Sequence, residues 1–343
     1  KLGYYLVDTT LGTLCSLDTT NPNVVMQEKN EEPTNVKTVE EDSTGNYGEK
    51  NDADIGQTVK FQSTITAQAG AENYVFHDKM SAGLTYTGVT GITLNGATVD
   101  DANYTVTAPA AGDTFDVVFT QAFCDTLKAN DKIVISYTAT VNEKAIQRNE
   151  ETNTATLKYS NDPANKNSFK ESSVEVEVFS FNIVINKYAA GNESTKLEGA
   201  KFVLKNAEGK YYNCDTATKA VTWVVGKADT TEVTTDVNGV ARFDGLQAGT
   251  YKLEETAAPA GYNQLIKDIT IVLKEDGSAT IDDAASTPEA DRSLTAGVAN
   301  STGTMLPETG GIGTVIFVAL GALAVICAGV FLVTNKRMSK ESF

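Results

Sequence analysis

Residues 312–333 run without a single charged side chain. No other feature limits the fold so strongly, because an apolar stretch of this length has no place on a water-facing domain. As a helix it would be roughly 33 Å long at about 1.5 Å per residue, enough to cross a bilayer core. Lys336, Arg337 and Lys340 follow at once, and the positive-inside bias places that end in the cytoplasm. Everything before the run is then extracytoplasmic. Directly ahead of it stands Leu306-Pro307-Glu308-Thr309-Gly310.

These three parts, in this order, resemble the cell-wall sorting signal of Gram-positive surface proteins: LPxTG, a hydrophobic span and a positive tail. The resemblance implies that a sortase cuts between Thr309 and Gly310, holds the Thr309 carbonyl as a thioester and passes it to an amine. The competing explanation is a single-span protein with a chance LPETG. The position of the pentapeptide, where a membrane-side enzyme needs it, favours the sorting signal. An exported chain also needs a signal peptide. None precedes Lys1, so a further N-terminal segment is expected.

The 343 residues leave room for two or three domains. Lys plus Arg is 28 against 45 Asp plus Glu, a net charge of −17. With no basic patch outside the tail, nucleic acid is excluded as a partner. Thr, Val, Asn and Gly abound and Pro is only 7, a β-rich composition with polar turns. The expected fold is all-β: tandem immunoglobulin-like β-sandwiches followed by one C-terminal transmembrane helix. Residues 1–30 read as the remnant of an N-terminal β domain and a linker, with strands at 3–7 and 23–26 and a Thr-rich loop between them. Residues 31–179 form the first sandwich. Its strands are expected at 58–65, 73–76, 115–119, 133–141, 154–159 and 174–179. Gly70, Gly83, Gly88, Gly96 and Asn161-Asp162-Pro163 serve as breaks, and 125–130 as one helical turn. Residues 180–303 form the second sandwich, with a hairpin turn at Asp236-Val237-Asn238-Gly239. Then come the spacer and sorting motif (304–310), the span (311–335) and the basic tail (336–343).

Strand parity exposes an anomaly in the second sandwich. Along Phe181-Asn182-Ile183-Val184-Ile185-Asn186-Lys187, the apolar face carries Lys187 with it. Glu255 likewise follows Tyr251 and Leu253, and Asn300 follows Val298. A lysine, a glutamate and an asparagine thus point inward from three strands, each costly to bury alone. Burial pushes an amine toward its neutral, nucleophilic form and keeps a carboxylic acid protonated. Such an acid can polarise an Asn side-chain carbonyl and move protons as ammonia leaves. The product is a Lys–Asn isopeptide bond, formed once. The stretch from Tyr251 to Tyr262, YKLEETAAPAGY, resembles the YxLxETxAPxGY box of Cna B-type pilin domains. That resemblance implies Glu255 as the catalytic acid and Lys187 and Asn300 as the linked pair.

In the first sandwich, Tyr74, Phe76 and Asp78 share a face, as do Asn153, Ala155, Leu157 and Tyr159, and Lys37 goes with Val39. Val36-Lys37-Thr38-Val39, the HDKM…GL stretch from His77 to Leu84 and Asn153-Thr154-Ala155-Thr156-Leu157 resemble the fimbrial isopeptide-forming D2 type. This implies a link from Lys37 to Asn153 with Asp78 as acid. Asn149 is the alternative acceptor, outside the alternating run.

Other residues point to bland roles. His77 is the single histidine and reads as a surface residue. Asp52-Ala53-Asp54, Asp100-Asp101 and Asp282-Asp283 lack calcium-loop spacing and read as solvated loops. Trp223, alternating with Val221 and Val225, reads as core. Cys15, Cys124 and Cys214 are too scattered for a disulfide framework or zinc site, and Cys327 lies in the span. The sequons at Asn103, Asn192 and Asn300 carry no weight in a chain of this kind. No cofactor and no metal are expected.

Together, these resemblances imply a subunit of a sortase-assembled pilus, with sortase, neighbouring pilins and peptidoglycan as partners and host or matrix ligands as a further class. The acceptor lysine of that family sits in a VYPK-like motif, which does not occur among these residues. The alternatives are a non-polymerising wall-anchored adhesin and the stalk of a wall-anchored enzyme.

Overall fold

The computed structural model describes residues 1–7, 13–20, 31–42, 44–108, 112–147, 151–160 and 167–303. The sorting motif, the apolar run and the basic tail lie outside the described residues, as do the strand expected at 23–26, Asn149 and the 161–163 turn. Among the described residues no helix is long and apolar enough to cross a membrane.

Among the described residues the regular structure is almost wholly β, and the alternation read from the sequence is what builds it. In the first sandwich one sheet has the order Tyr47–Gly48, Thr34–Glu40, Thr58–Thr66, Lys132–Val141, Leu84–Leu94, Ala97–Thr98. The opposing sheet runs Tyr104–Thr107, Phe115–Phe119, Glu72–Met80, Glu151–Ser160, Phe169–Phe179, Lys50–Asp52. Every pairing is antiparallel except the last, which is parallel. Phe61 and Tyr137 from one sheet meet Phe76 and Phe115 from the other. Tyr137 lies edge-on to both, with centroid separations of 6.2 and 5.0 Å. Each such buried aromatic contributes roughly 1.5–3 kcal/mol through area removed from water.

In the second sandwich the first strand, Phe181–Ala189, is central to its sheet. Val240–Leu246 pairs with it antiparallel, and the last strand, Ser293–Asn300, pairs with it in parallel along its length. The register sets Lys187 opposite Val298 and Ala189 opposite Asn300, so Lys187 and Asn300 are diagonal neighbours on one face. The facing sheet is built around Lys201–Lys205 and Gly249–Ala257.

The two sandwiches are joined by more than the turn at Ser180. Ile55 donates its N–H to Gly245 O and accepts from Val221 N. Asp54 accepts from Gln247 N and from Trp223 Nε1, both at 2.8 Å, and Asp52 accepts from Ala248 N. Gly245 needs its glycine here: φ is +75°, and a Cβ would lie 2.3 Å from Ile55 Cγ1.

Several expectations change. The Thr-rich segment taken as loop contains a strand, Thr13–Leu17, paired with Gly3–Val7. The helical turn falls earlier, at Gln121–Cys124, because the Thr120 hydroxyl caps it by accepting from Phe123 N. Gly88 does not end a strand; it lies inside Leu84–Leu94, beside an irregularity in the ladder. The Asp236–Gly239 turn forms, closed by Gly239 N to Asp236 O. Its flanking strands pair into different sheets, so it crosses between layers and is no hairpin. Asp52 and Asp54 are not solvated loop residues but buried acceptors at the junction. Trp223 is half-buried there, stacked on Tyr251, while Val225 is exposed.

Candidate functional site

Two buried polar clusters stand out, one in each sandwich. In the first, Lys37 comes from Thr34–Glu40 in one sheet, and Asp78 and Asn153 come from adjacent strands of the other. Parity turns all three inward, and Asp78 and Asn153 have no exposed surface. Lys37 Nζ lies 2.6 Å from Asp78 Oδ2. Asn153 belongs to the penultimate strand of its domain, so a Lys37–Asn153 link would join the first strand to the second-last.

A fourth residue completes this cluster, and strand reasoning about charged residues alone passes over it. Tyr137, fully buried, accepts a hydrogen bond from Lys37 Nζ at 2.5 Å and donates one to Asp78 Oδ2 at 2.5 Å. Asn153 Nδ2 approaches the same hydroxyl at 3.5 Å. Its signal was present in the run Ile133, Ile135, Tyr137, Ala139, Val141: an inward tyrosine needs a partner for its hydroxyl.

In the second cluster, Lys187 Nζ lies 3.0 Å from Glu255 Oε1. Glu255 Oε2 accepts from Asn300 Nδ2 at 2.9 Å and from Leu265 N at 2.7 Å. Lys187 also sits over the Phe202 ring, 5.6 Å from its centroid. Lys187, Glu255 and Asn300 are all buried.

Burial governs the electrostatics. Desolvation pulls the Lys37 amine down to about 8, against the opposing attraction of Asp78. It pushes the Asp78 carboxyl above its ordinary value, against the pull of Lys37. Lys187 is likewise lowered by burial, with Glu255 opposing. Proton transfer within the Lys37–Asp78 pair yields a neutral amine beside a neutral acid, the combination that nucleophilic attack on an amide requires. Asn153 Oδ1 is buried with no hydrogen-bond partner among the described residues. A half-turn of its amide would set that carbonyl where Nδ2 now approaches the Tyr137 hydroxyl.

The remaining candidates fall elsewhere. His77 is half-buried and lies 2.8 Å from Asp116 Oδ1 and 3.5 Å from Asp113 Oδ2. These three side chains are the one group among the described residues with metal-compatible spacing, and a His–Asp hydrogen bond accounts for it. Asp100 caps a short turn by accepting from Ala102 N, and Asp282 accepts from Thr270 N; both are surface residues. Cys124 is buried, Cys15 and Cys214 are half-buried, and all three are free thiols.

The architecture is one of paired β-sandwiches, each with a lysine, an acid and an asparagine sealed in its core. Residues 55–163 match the family described as Gram-positive pilin backbone subunit 2, Cna-B-like domain. Residues 181–285 match the SpaA prealbumin-like fold domain, and residues 299–340 the LPXTG cell wall anchor motif. Among curated protein sequences no match is found. The group B streptococcus pilus 2b backbone protein is similar in structure, with 26% identity, TM-score 0.58, and coverage of 79% of this chain and 99% of that one. The pilus backbone RrgB from Streptococcus pneumoniae shares the fold at 16% identity and TM-score 0.59, over 79% of this chain and all of that one. Its full-length form aligns at 17% identity and TM-score 0.62, covering 85% and 78%. The chain thus carries a Gram-positive pilin backbone domain, a SpaA prealbumin-like domain and an LPXTG anchor motif, and its place is the cell surface, attached to the wall.

Proposed function

We propose that this chain is a shaft subunit of a sortase-assembled pilus whose two β-sandwiches are each closed by an isopeptide bond, Lys37 to Asn153 and Lys187 to Asn300. The observation that carries the proposal is the convergence, twice in one chain, of a buried lysine, acid and asparagine joined by ion pairs and hydrogen bonds, through Tyr137 in the first sandwich and directly through Glu255 in the second. In each case the amine nitrogen attacks the Asn Cγ, the Cγ–Nδ2 bond breaks, and the nitrogen leaves as ammonia. The acid carries a proton from the attacking to the departing nitrogen. Glu255 already contacts the nitrogen that must depart. The reaction occurs once per site and involves no turnover. Asp78 and Glu255 are the acids.

The mechanical consequence follows from the parallel pairing of the first and last strands in the second sandwich. A load entering beyond Asn300 crosses directly to Lys187 and leaves through Phe181. The intervening fold is bypassed and carries no tension. This suits a fibre, in which a sortase joins Thr309 of the Leu306–Gly310 motif to an amine on the next subunit, and the last subunit to peptidoglycan.

Intact mass tests the bonds: the purified chain falls short of its sequence mass by two ammonias, and Lys187→Ala restores one. A folded protein of full mass sinks the idea. Detergent-resistant high-mass ladders in cell-wall extracts, lost on Thr309→Ala, test the polymer; a single wall-linked band assigns the chain to a non-polymerising adhesin instead.

A further inference from the structure

We propose that Tyr137 is a proton-relaying catalytic residue of the Lys37–Asn153 reaction, so that the two sandwiches close by different proton paths. This rests on the isopeptide chemistry proposed above.

The hydroxyl oxygen of Tyr137 is the point at which the reacting groups of the first cluster meet. It lies 2.5 Å from the nucleophilic Lys37 Nζ, 2.5 Å from Asp78 Oδ2 and 3.5 Å from Asn153 Nδ2. The reaction must take a proton from the first nitrogen and deliver one to the last. The bonding pattern supplies a route for that transfer: Lys37 donates to the tyrosine oxygen as well as directly to Asp78 Oδ2 at 2.6 Å, and the tyrosine donates to Asp78. As the neutral Nζ bonds to Asn153 Cγ, the protonated Asp78 gives its proton to Nδ2, the Cγ–Nδ2 bond breaks and ammonia departs. The surplus proton on Nζ passes to the Tyr137 oxygen and the tyrosine proton to the Asp78 carboxylate, which restores the acid. Atoms and charge balance, and the phenol is regenerated. Burial lifts the Tyr137 hydroxyl well above its ordinary value, so the group stays neutral and works by passing a proton on in concert.

Its position is built, not incidental. The ring is stacked against Phe61 at 5.5 Å and clasped edge-on by Phe76 and Phe115. It reaches the cluster from the same sheet as Lys37, one strand removed. In the second sandwich, Glu255 is held instead by the Leu265 backbone N–H and the Asn300 amide, with Lys187 over the Phe202 ring.

Tyr137→Phe keeps the ring and removes the hydroxyl, and the Lys187–Asn300 link in the same molecule serves as an internal control. Full-length chain is followed after expression by intact mass and by mapping of linked peptides. The expected result is a complete 187–300 link together with a 37–153 link formed ~10²-fold more slowly, in line with loss of a general acid–base group. The residual rate should rise with pH, because Lys37 must then lose its proton to water. Linkage at the wild-type rate with an unchanged pH profile overturns the relay. So does a Lys37→Ala/Tyr137→Phe protein whose first sandwich has lost the unfolding transition that Lys37→Ala retains, since Tyr137 would then be a packing residue. A wild-type chain of full mass removes the underlying chemistry itself, an outcome distinct from either.

Discussion

Glu255→Gln isolates the contribution of the proposed second cross-link. The substitution is nearly isosteric: the glutamine carbonyl can still accept from Leu265 N and Asn300 Nδ2, contacts of 2.7 and 2.9 Å in the native cluster. It removes the acid to which the proposed mechanism assigns the proton transfer, so the Lys187–Asn300 bond should not form. The proposed bond closes a loop of about 113 residues; if the loop-entropy relation for disulfides transfers, its loss costs about 5 kcal/mol. For a domain of this size, 1 kcal/mol corresponds to roughly 4 °C, so the second sandwich should melt about 15–20 °C lower. Lys187, left as a buried amine, adds to the cost in the same direction. Calorimetry and intact mass read both halves of the expectation: one additional ammonia retained, and one of two unfolding transitions displaced. A variant with wild-type mass would falsify the assignment of Glu255 as the acid. A variant that keeps its ammonia yet melts with the wild type would refute the loop-entropy argument while leaving the chemistry intact.

Three further outcomes are expected. In Asn153→Ala, Lys37 stays a free amine whose pKa is depressed to about 8; above that pH the unfolded state binds more protons, so stability rises toward the ordinary lysine pKa of roughly 10.4, a rise that a wild type linked as proposed should lack. Urea titrations across that window check the sign. Trp223→Phe removes the 2.8 Å donor to buried Asp54 and should cost ~1–3 kcal/mol, read in calorimetry as looser coupling between the two unfolding transitions. Gly239→Ala places a Cβ 2.3 Å from Lys187 O at a φ of +72°; it should shift Lys187 and lower the fraction of chains linked at 187–300, measured by peptide mapping.

Much of this protein was legible before any fold was known, because a β-strand has a period of two. Once Phe181, Ile183 and Ile185 are assigned inward, Lys187 has no choice, and the same arithmetic turns Glu255, Asn300, Asp78 and Asn153 into the core. The sorting signal is likewise a linear property: an apolar run, a charge block and a pentapeptide in order. What parity cannot supply is which faces meet. That Lys37 and Tyr137 share a sheet and look across at Asp78 and Asn153 depends on strand order, which brings residues a hundred positions apart within 2.5 Å. The parallel docking of Ser293–Asn300 on Phe181–Ala189, on which the proposed load path rests, is also a matter of topology. Asp52 and Asp54 make the same point from the other side: locally they look like a solvated loop. Only the arrival of Trp223, Gln247 and Ala248 from the second sandwich turns them into buried acceptors at the junction, because burial of a charged group is decided by its distant partners.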